Sequence, residues 1–390
     1  MSHPTRRDLL TSTGAAAIAA LGIPKLLRAD APASTVAIVR CRNYADFGAK
    51  LSTGFDQIGG IESLVRGKTV ALKLNLTGNP TYFPLTPDLP YRTNGETVAS
   101  TVHLLAKAGA RRVRIIESFF PATQDPNLWA RYGLDVNAIN NLGTQLDWEN
   151  VQNLGKYKQY VRLKVPWGGY MYPAYYLNQA FTDCDVYASL SKLKNHWIAG
   201  VTMSMKNNFG NTPCSLYGSD CGPSGNEHPT KERGDVLHAG TTKAPSGVDP
   251  ELHPDSPREA GYRVPRIVVD QVGIRPIDLA IVDGVETVRG GEGPWLDGLE
   301  KMTPGVIIVG RNPVCVDSVG MAVMSYSPQA TRGISPFIRG DNTLKLAEAV
   351  GIGTADLNRI EVVGLSIKDA RIDFGPGAVG KTMSQLKAST

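Results

Sequence analysis

The sequence predicts an α/β fold: one or more mostly parallel mixed sheets flanked by helices, with a long irregular Gly/Pro-rich insertion. Three observations predict it. Short apolar runs bounded by Gly and Pro alternate with stretches of helical periodicity, the pattern of a parallel sheet with crossover helices. One strand–helix–strand unit is complete within residues 68–117, where Asn94 stands ready to cap the intervening helix. Between Asn211 and Tyr262 aliphatic residues nearly vanish, while Pro213, Pro223, Pro229, Pro245, Pro250, Pro254 and Pro257 accumulate. A connection that long is a lid or an excursion rather than an ordinary turn.

In chain order, residues 35–42 read as a first strand and 44–58 as a helix. The second strand, 68–76, places Lys73 and Asn75 on one face near its carboxyl end, where open α/β sheets bind ligands. Prolines 80, 84, 87 and 90 make residues 79–92 an irregular loop. The helix 95–109 carries Val98, Val102 and Leu105 at helical spacing, and residues 112–117 form the third strand. One or two helices follow over 125–143, with Trp129, Leu134 and Ile139 as core candidates. Residues 161–165 alternate like an edge strand, and 173–181 read as a short helix.

The run 183–210 is the most informative. It opens as a buried strand, and Lys192, Lys194 and His196 follow at two-residue spacing, which in extended chain puts three cations on one face. After Gly200 the spacing turns helical, placing Lys206, Asn207 and Asn208 near the end of a short helix. Beyond the insertion, residues 266–272 read as a short helix ended by Gly273, and 277–284 as a buried strand ending in Asp283. The turn 290–295 contains Gly291, Glu292 and Gly293, whose glycines permit close approach of backbone amides to a ligand. That turn lacks the Lys-Ser/Thr of a phosphate loop and opens no dinucleotide fingerprint. A strand at 305–309, a Pro313-started helix with Asp317 in its first turns, a helix at 342–350 and a strand at 359–363 complete the pattern. The tail 376–390 is polar and reads as loosely held.

At 390 residues and 42% hydrophobic content the chain is long enough for one large domain or two moderate ones. Residues 34–375 are read as that α/β unit, divisible into lobes over 34–180 and 181–365. The N-terminus has Arg6-Arg7 before a short, Ala-rich, weakly apolar stretch, Leu9 to Ile23, the pattern of a twin-arginine export signal covering 1–33. That stretch is too short for a permanent membrane span. Export predicts an encounter with the twin-arginine translocase and a periplasmic or otherwise extracytoplasmic location. Cutting after Ala33 lowers the net charge from +5 to +3, a balance that gives no nucleic-acid footprint. Five cysteines, at 41, 184, 214, 221 and 315, fit neither a zinc ribbon nor an iron–sulfur cluster. Cys214 and Cys221 are close enough for a local disulfide in an oxidising compartment, whereas Cys184 and Cys315 read as buried small hydrophobes. The insertion histidines His228, His238 and His253 match no metal motif, with His238 kept as a lid contact.

These motifs resemble a known family. Ser191-Lys192-Leu193-Lys194-Asn195-His196 with Val201-Thr202 and Lys206-Asn207, the stretch from Asp278 to Gly284, Gly291-Glu292-Gly293-Pro294, and the stretch from Asn312 to Asp317 look like the bacterial and archaeal family catalogued as domain of unknown function 362. Lys73-Leu74-Asn75 resembles its Lys-Pro-Asn motif, with Leu74 in place of Pro; Ser191 likewise replaces a common Pro. The resemblance spans about 68–364 and implies no particular reaction. Many members carry ferredoxin-type cysteine clusters, and this chain has no such run.

Two readings of function follow. In the first, an exported enzyme holds a small oxyanionic substrate, carboxylate or phosphate, or an anionic nucleotide-like cofactor. Lys73, Asn75, Asn207, Asn208, Gly291, Glu292 and Gly293 would bind it. Lys192, Lys194, His196 and Lys206 would move protons, because crowded ammonium groups depress one another's pKa. Asp283 and Asp317 balance charge or, with His196, take a divalent metal. Isomerase- or lyase-type proton transfer suits these groups better than hydride transfer. In the second, the same cations capture an anion without turnover, in a periplasmic binding or scaffolding protein.

Overall fold

A computed structural model describes residues 31–78, 80, 83–119, 127–217, 234–243 and 247–382. The expected export signal lies almost wholly outside the described residues, as do Cys221 and His228.

The chain begins with β1 (Val36–Arg40), α1 (Phe47–Gln57) and β2 (Thr69–Lys73). Next come α2 (Gly95–Lys107), β3 (Arg112–Glu117) and β4 (Gln145–Asn150). Asn94 caps α2 by accepting from the Glu96 amide, as its side-chain type predicts. A hairpin, β5 (Tyr160–Lys164) and β6 (Ala174–Asn178), leads to β7 (Val186–Lys192). Two short strands, β8 (Asn195–His196) and β9 (Gly200–Val201), then carry the chain into α3 (Met203–Asn208). After the insertion come α4 (Ala260–Ile274), β10 (Leu279–Gly284), β11 (Thr287–Arg289), β12 (Glu300–Met302) and β13 (Val306–Gly310). The described chain ends with α5 (Pro313–Val323), α6 (Thr343–Ala349) and β14 (Val362–Gly364).

Eight strands form one sheet in the order β14-β1-β13-β10-β7-β2-β3-β4. Only β13 runs against the others, pairing antiparallel with β1 and β10. Alternate residues of each strand feed two cores, as a sheet covered on both faces requires. Along β13, Val306 and Ile308 face the core of α3, α4, α5 and α6, whereas Ile307 and Val309 face α1 and α2. Strands from both halves of the chain share this sheet.

Topology creates the crevice. From β2 the chain adds β3 and β4 on one side, then returns with β7 on the other side of β2. Strand order reverses there, so connections diverge at the carboxyl edge, the position at which open α/β sheets bind ligands. The strands β2, β3, β7 and β10 end at that edge in Lys73, Glu117, Lys192 and Asp283-Gly284.

Four local expectations are corrected. Residues 174–178 are a strand, not part of a helix, because the alternation of β5 supplies an antiparallel partner, with Lys164 opposite Ala174. The helix after the insertion is 15 residues long and runs through Pro265 and Gly273. Gly273 leaves room for the Trp167 indole, which would lie 2.2 Å from an added Cβ, so it serves packing rather than termination. The described parts of the insertion are packed: Val236 and Leu237 are buried, and Arg263 of α4 bonds both their carbonyls. The tail is held as far as Thr382, with Ala378 buried and Leu296 bridged to Thr382. No described helix is long and apolar enough to cross a membrane.

Candidate functional site

The extended run of cations does not persist beyond Lys192. Strand β7 ends there, so Lys192, Lys194 and His196 enter different surroundings, all buried. Lys192 lies in register with Asp283 and forms an ion pair with it at 2.9 Å. Its Nζ also donates to Tyr44 Oη (3.1 Å) and to the Glu286 carbonyl. Thr97, Tyr44 Oη and the Val285 amide also donate to Asp283. Lys73, at the end of β2, pairs with Glu117 of β3 at 2.6 Å. Two of the expected site lysines therefore already hold carboxylates.

Asn207 joins the two sides of the cleft. Its Oδ1 accepts from Asn75 Nδ2 (3.0 Å) and Lys73 Nζ (3.5 Å), while its Nδ2 donates to Ser189 Oγ of β7 (3.0 Å). The amide orientation follows from that pattern, because oxygen faces donors and nitrogen faces a hydroxyl. Asn75 Oδ1 is buried without a partner. Above it, Thr93 exchanges bonds with Asn75 through its hydroxyl and its amide. The strap 91–93 thus crosses from β2 toward the segment after β7.

Lys194 is fully buried under that strap. Its Nζ donates to the carbonyls of Tyr91 and Glu292, the latter at 3.0 Å. Burial lowers its pKa well below the ordinary lysine value, reinforced by Lys192, Arg92 and Lys206 and opposed by Glu292. The Glu292 carboxylate accepts from the Trp197 amide (2.7 Å) and Trp295 Nε1 (3.0 Å), so it offsets charge without bonding Lys194. Gly291 and Gly293 make room inside their own turn: an added Cβ would meet Leu296 at 2.3 Å and Trp295 at 2.2 Å respectively.

His196 Nδ1 accepts from the Ile198 and Ala199 amides at 3.1 and 3.3 Å. An acceptor Nδ1 leaves the proton on Nε2. Burial, with Lys206 and Lys194 close by, pushes its pKa well below 6.5, so the ring is neutral. Lys206 sits 4.4 Å over the Phe209 ring, which packs on His238 at 5.3 Å. His238, expected as a lid contact, thus reaches the ring that carries Lys206.

The remaining candidates serve other places. Asn208 Oδ1 accepts from Tyr187 Oη and Asn211 Nδ2 in a separate buried network. Asp317 of α5 accepts from the Ser204 and Met205 amides, both at 2.9 Å, and so caps α3 rather than its own helix. With Asp283 engaged by Lys192, the expected metal ligands have separate partners. Among the described residues no group of three or more His, Cys, Asp or Glu side chains is placed to hold a metal ion.

Sequence reading missed Glu117, Tyr44, Tyr91, Arg92 and Thr93. Glu117 was findable as a carboxylate at the end of a strand next to β2. The strap was not, because a Pro-rich loop carries no periodicity. No curated protein matches the chain. A family model described as Domain of unknown function (DUF362) matches residues 70–322, over the strands, turns and cations that build this crevice. The chain therefore belongs to that family.

Proposed function

We propose that the crevice holds a small oxyanionic molecule and transfers a proton on it, in an exported enzyme. The observation that carries this reading is Lys194: a buried amine, bonded to carbonyls rather than to a carboxylate, with its protonation depressed. An amine held against protonation by burial can serve as a base toward a proton on carbon beside a carboxylate or carbonyl. The electron pair then moves onto the substrate oxygen. A neutral imidazole at His196 offers that oxygen an Nε2–H donor without surrendering charge. Asn75, Asn207 and Lys206 supply further polarity around the bound anion. Lys73 and Lys192, neutralised by Glu117 and Asp283, hold the walls of the cleft. Export rests on Arg6-Arg7 and the short apolar stretch behind them.

Deuterium exchange tests the chemistry. The exported protein, incubated in D2O with a library of small carboxylates and phosphorylated acids, should catalyse exchange of a carbon-bound hydrogen, read by NMR. Lys194→Met should lower that rate at least about 100-fold with the fold retained. Exchange that persists in the variant would remove Lys194 from the mechanism. Stoichiometric anion binding without exchange or product would make the crevice a receptor site instead.

A further inference from the structure

Arg92 is a buried cation without a counter-ion. Its residue is 5% exposed, and its guanidinium lies between the Tyr91 and Tyr132 rings, 4.6 and 5.3 Å from their centroids. Nε donates to the Thr77 carbonyl (2.8 Å), and Nη2 donates to those of Gly78 (3.2 Å) and Phe83 (2.9 Å). Nη1 is buried with no partner, and so is the Tyr91 hydroxyl. No acid among the described residues pairs with this guanidinium. Burying a charge without a counter-ion is costly, and orphaned donors of this kind point to a missing acceptor.

The Arg92 guanidinium and the Tyr91 hydroxyl border one space. A Cβ built on Gly78 would sit 3.3 Å from Arg92 Nη2, 3.5 Å from the Tyr91 hydroxyl and 3.0 Å from the Trp295 ring, so all three border the space that glycine leaves. Lys194 Nζ is 5.5 Å from the same Tyr91 ring centroid that Arg92 approaches. Arg92 and Lys194 therefore both approach the Tyr91 ring.

Building on the oxyanion reading above, we propose that Arg92 and the Tyr91 hydroxyl form a carboxylate-recognition pole, so that the ligand is a small carboxylic acid anchored there and presented to Lys194. Donor count separates carboxylate from phosphate. Nη1 brings two N–H groups and Tyr91 one O–H, which suits the two oxygens of a planar carboxylate and undersupplies a phosphate monoester. Trp295 and Tyr91 bound the pole with rings, which favours a flat group over a tetrahedral one.

Calorimetry and thermal shift on the exported protein, with acetate and succinate against inorganic phosphate and sulfate, test the assignment. Carboxylates should bind and raise Tm, with phosphate and sulfate at least about tenfold weaker. Tyr91→Phe, which removes only the hydroxyl, should weaken carboxylate binding roughly tenfold. Arg92→Lys, which loses the planar fork, should weaken it further. Should Arg92→Lys fail to fold, Tyr91→Phe alone decides. Phosphate or sulfate binding without carboxylate binding would overturn the Arg92 pole and leave the oxyanion reading standing, and so would carboxylate affinity unchanged by Tyr91→Phe. Absence of binding by every anion would overturn both.

Discussion

Asp317 shows at the level of one residue how a carboxylate in a cation-rich protein can serve the backbone. It holds the amides of Ser204 and Met205 just after Met203, which adopts φ +36°, a left-handed conformation costly for a residue with a side chain. The two bonds offset that strain and fix the start of α3, and with it the position of Lys206 and Asn207. Full burial raises the Asp317 pKa from 3.8 to about 7. Between those values the folded protein keeps a proton that the unfolded chain has released, so this residue's contribution makes stability fall as pH rises through about 4 to 7. The expected size is on the order of 2–4 kcal/mol. Asp270, also raised to about 7 by burial, acts in the same sense. Urea unfolding of wild type and Asp317→Asn at pH 5 and pH 8 checks this: the stability gap between them should narrow at the higher pH. A gap of equal size at both would mean that Asp317 is ionised throughout. Residue types at these positions were legible in the sequence, whereas their duties were not. Asp317 read as a charge-balancing or metal-binding carboxylate because the helix it caps is more than a hundred positions away.

Among the elements, the turn that carries Glu292 depends on the tail. Trp197 Nε1 donates to the Gly380 carbonyl (2.9 Å), and Asp297 exchanges two bonds with Lys381. Trp197 also gives its amide to Glu292. Residues 376–382 therefore strap the turn down on the same indole-bearing segment that follows Lys194. Truncation after Gly375 should speed amide exchange in residues 290–298 by about tenfold or more while leaving the β7 and β10 amides protected. Unaltered exchange in that turn would show that the strap holds nothing. The polar composition of the tail hid this role, because its contacts use backbone carbonyls and amides that every residue type possesses. Strands were easier to read. Their short apolar runs predicted β1, β2, β3, β7, β10 and β13 to within a few residues, since burial on both faces admits little else. Residues 174–178 were misread because a strand in a hairpin depends on its partner, and local pattern alone does not show the partner.

For the whole molecule, the export reading makes a covalent prediction. Intact-mass measurement of protein recovered from the extracytoplasmic fraction should give a chain beginning at Ser34, and Arg6→Lys with Arg7→Lys should trap the uncut form in the cytoplasm. An exported chain retaining Met1 would refute the assigned cut. The cut has a structural cost that can be located: Ala31 is buried, its carbonyl accepts from Arg359 Nη2 (2.7 Å), and the Pro32 carbonyl accepts from the Thr354 amide (3.1 Å). If the chain is cut after Ala33, those bonds leave with the signal.

The sequence by itself determined the α/β class, the positions of the main sheet strands along the chain, the motifs that assign the family and the concentration of Lys, His and Asn after two strand ends. Each of these rests on local periodicity and on residues near one another in the chain. Only the tertiary structure decided which cations are neutralised, by bringing Glu117 to Lys73 and Asp283 to Lys192. It likewise left Lys194 and Arg92 buried without a bonded carboxylate. The reason is that charge state is set by burial and by neighbours in space, which the reversal of strand order between β2 and β7 assembles from segments distant in the chain.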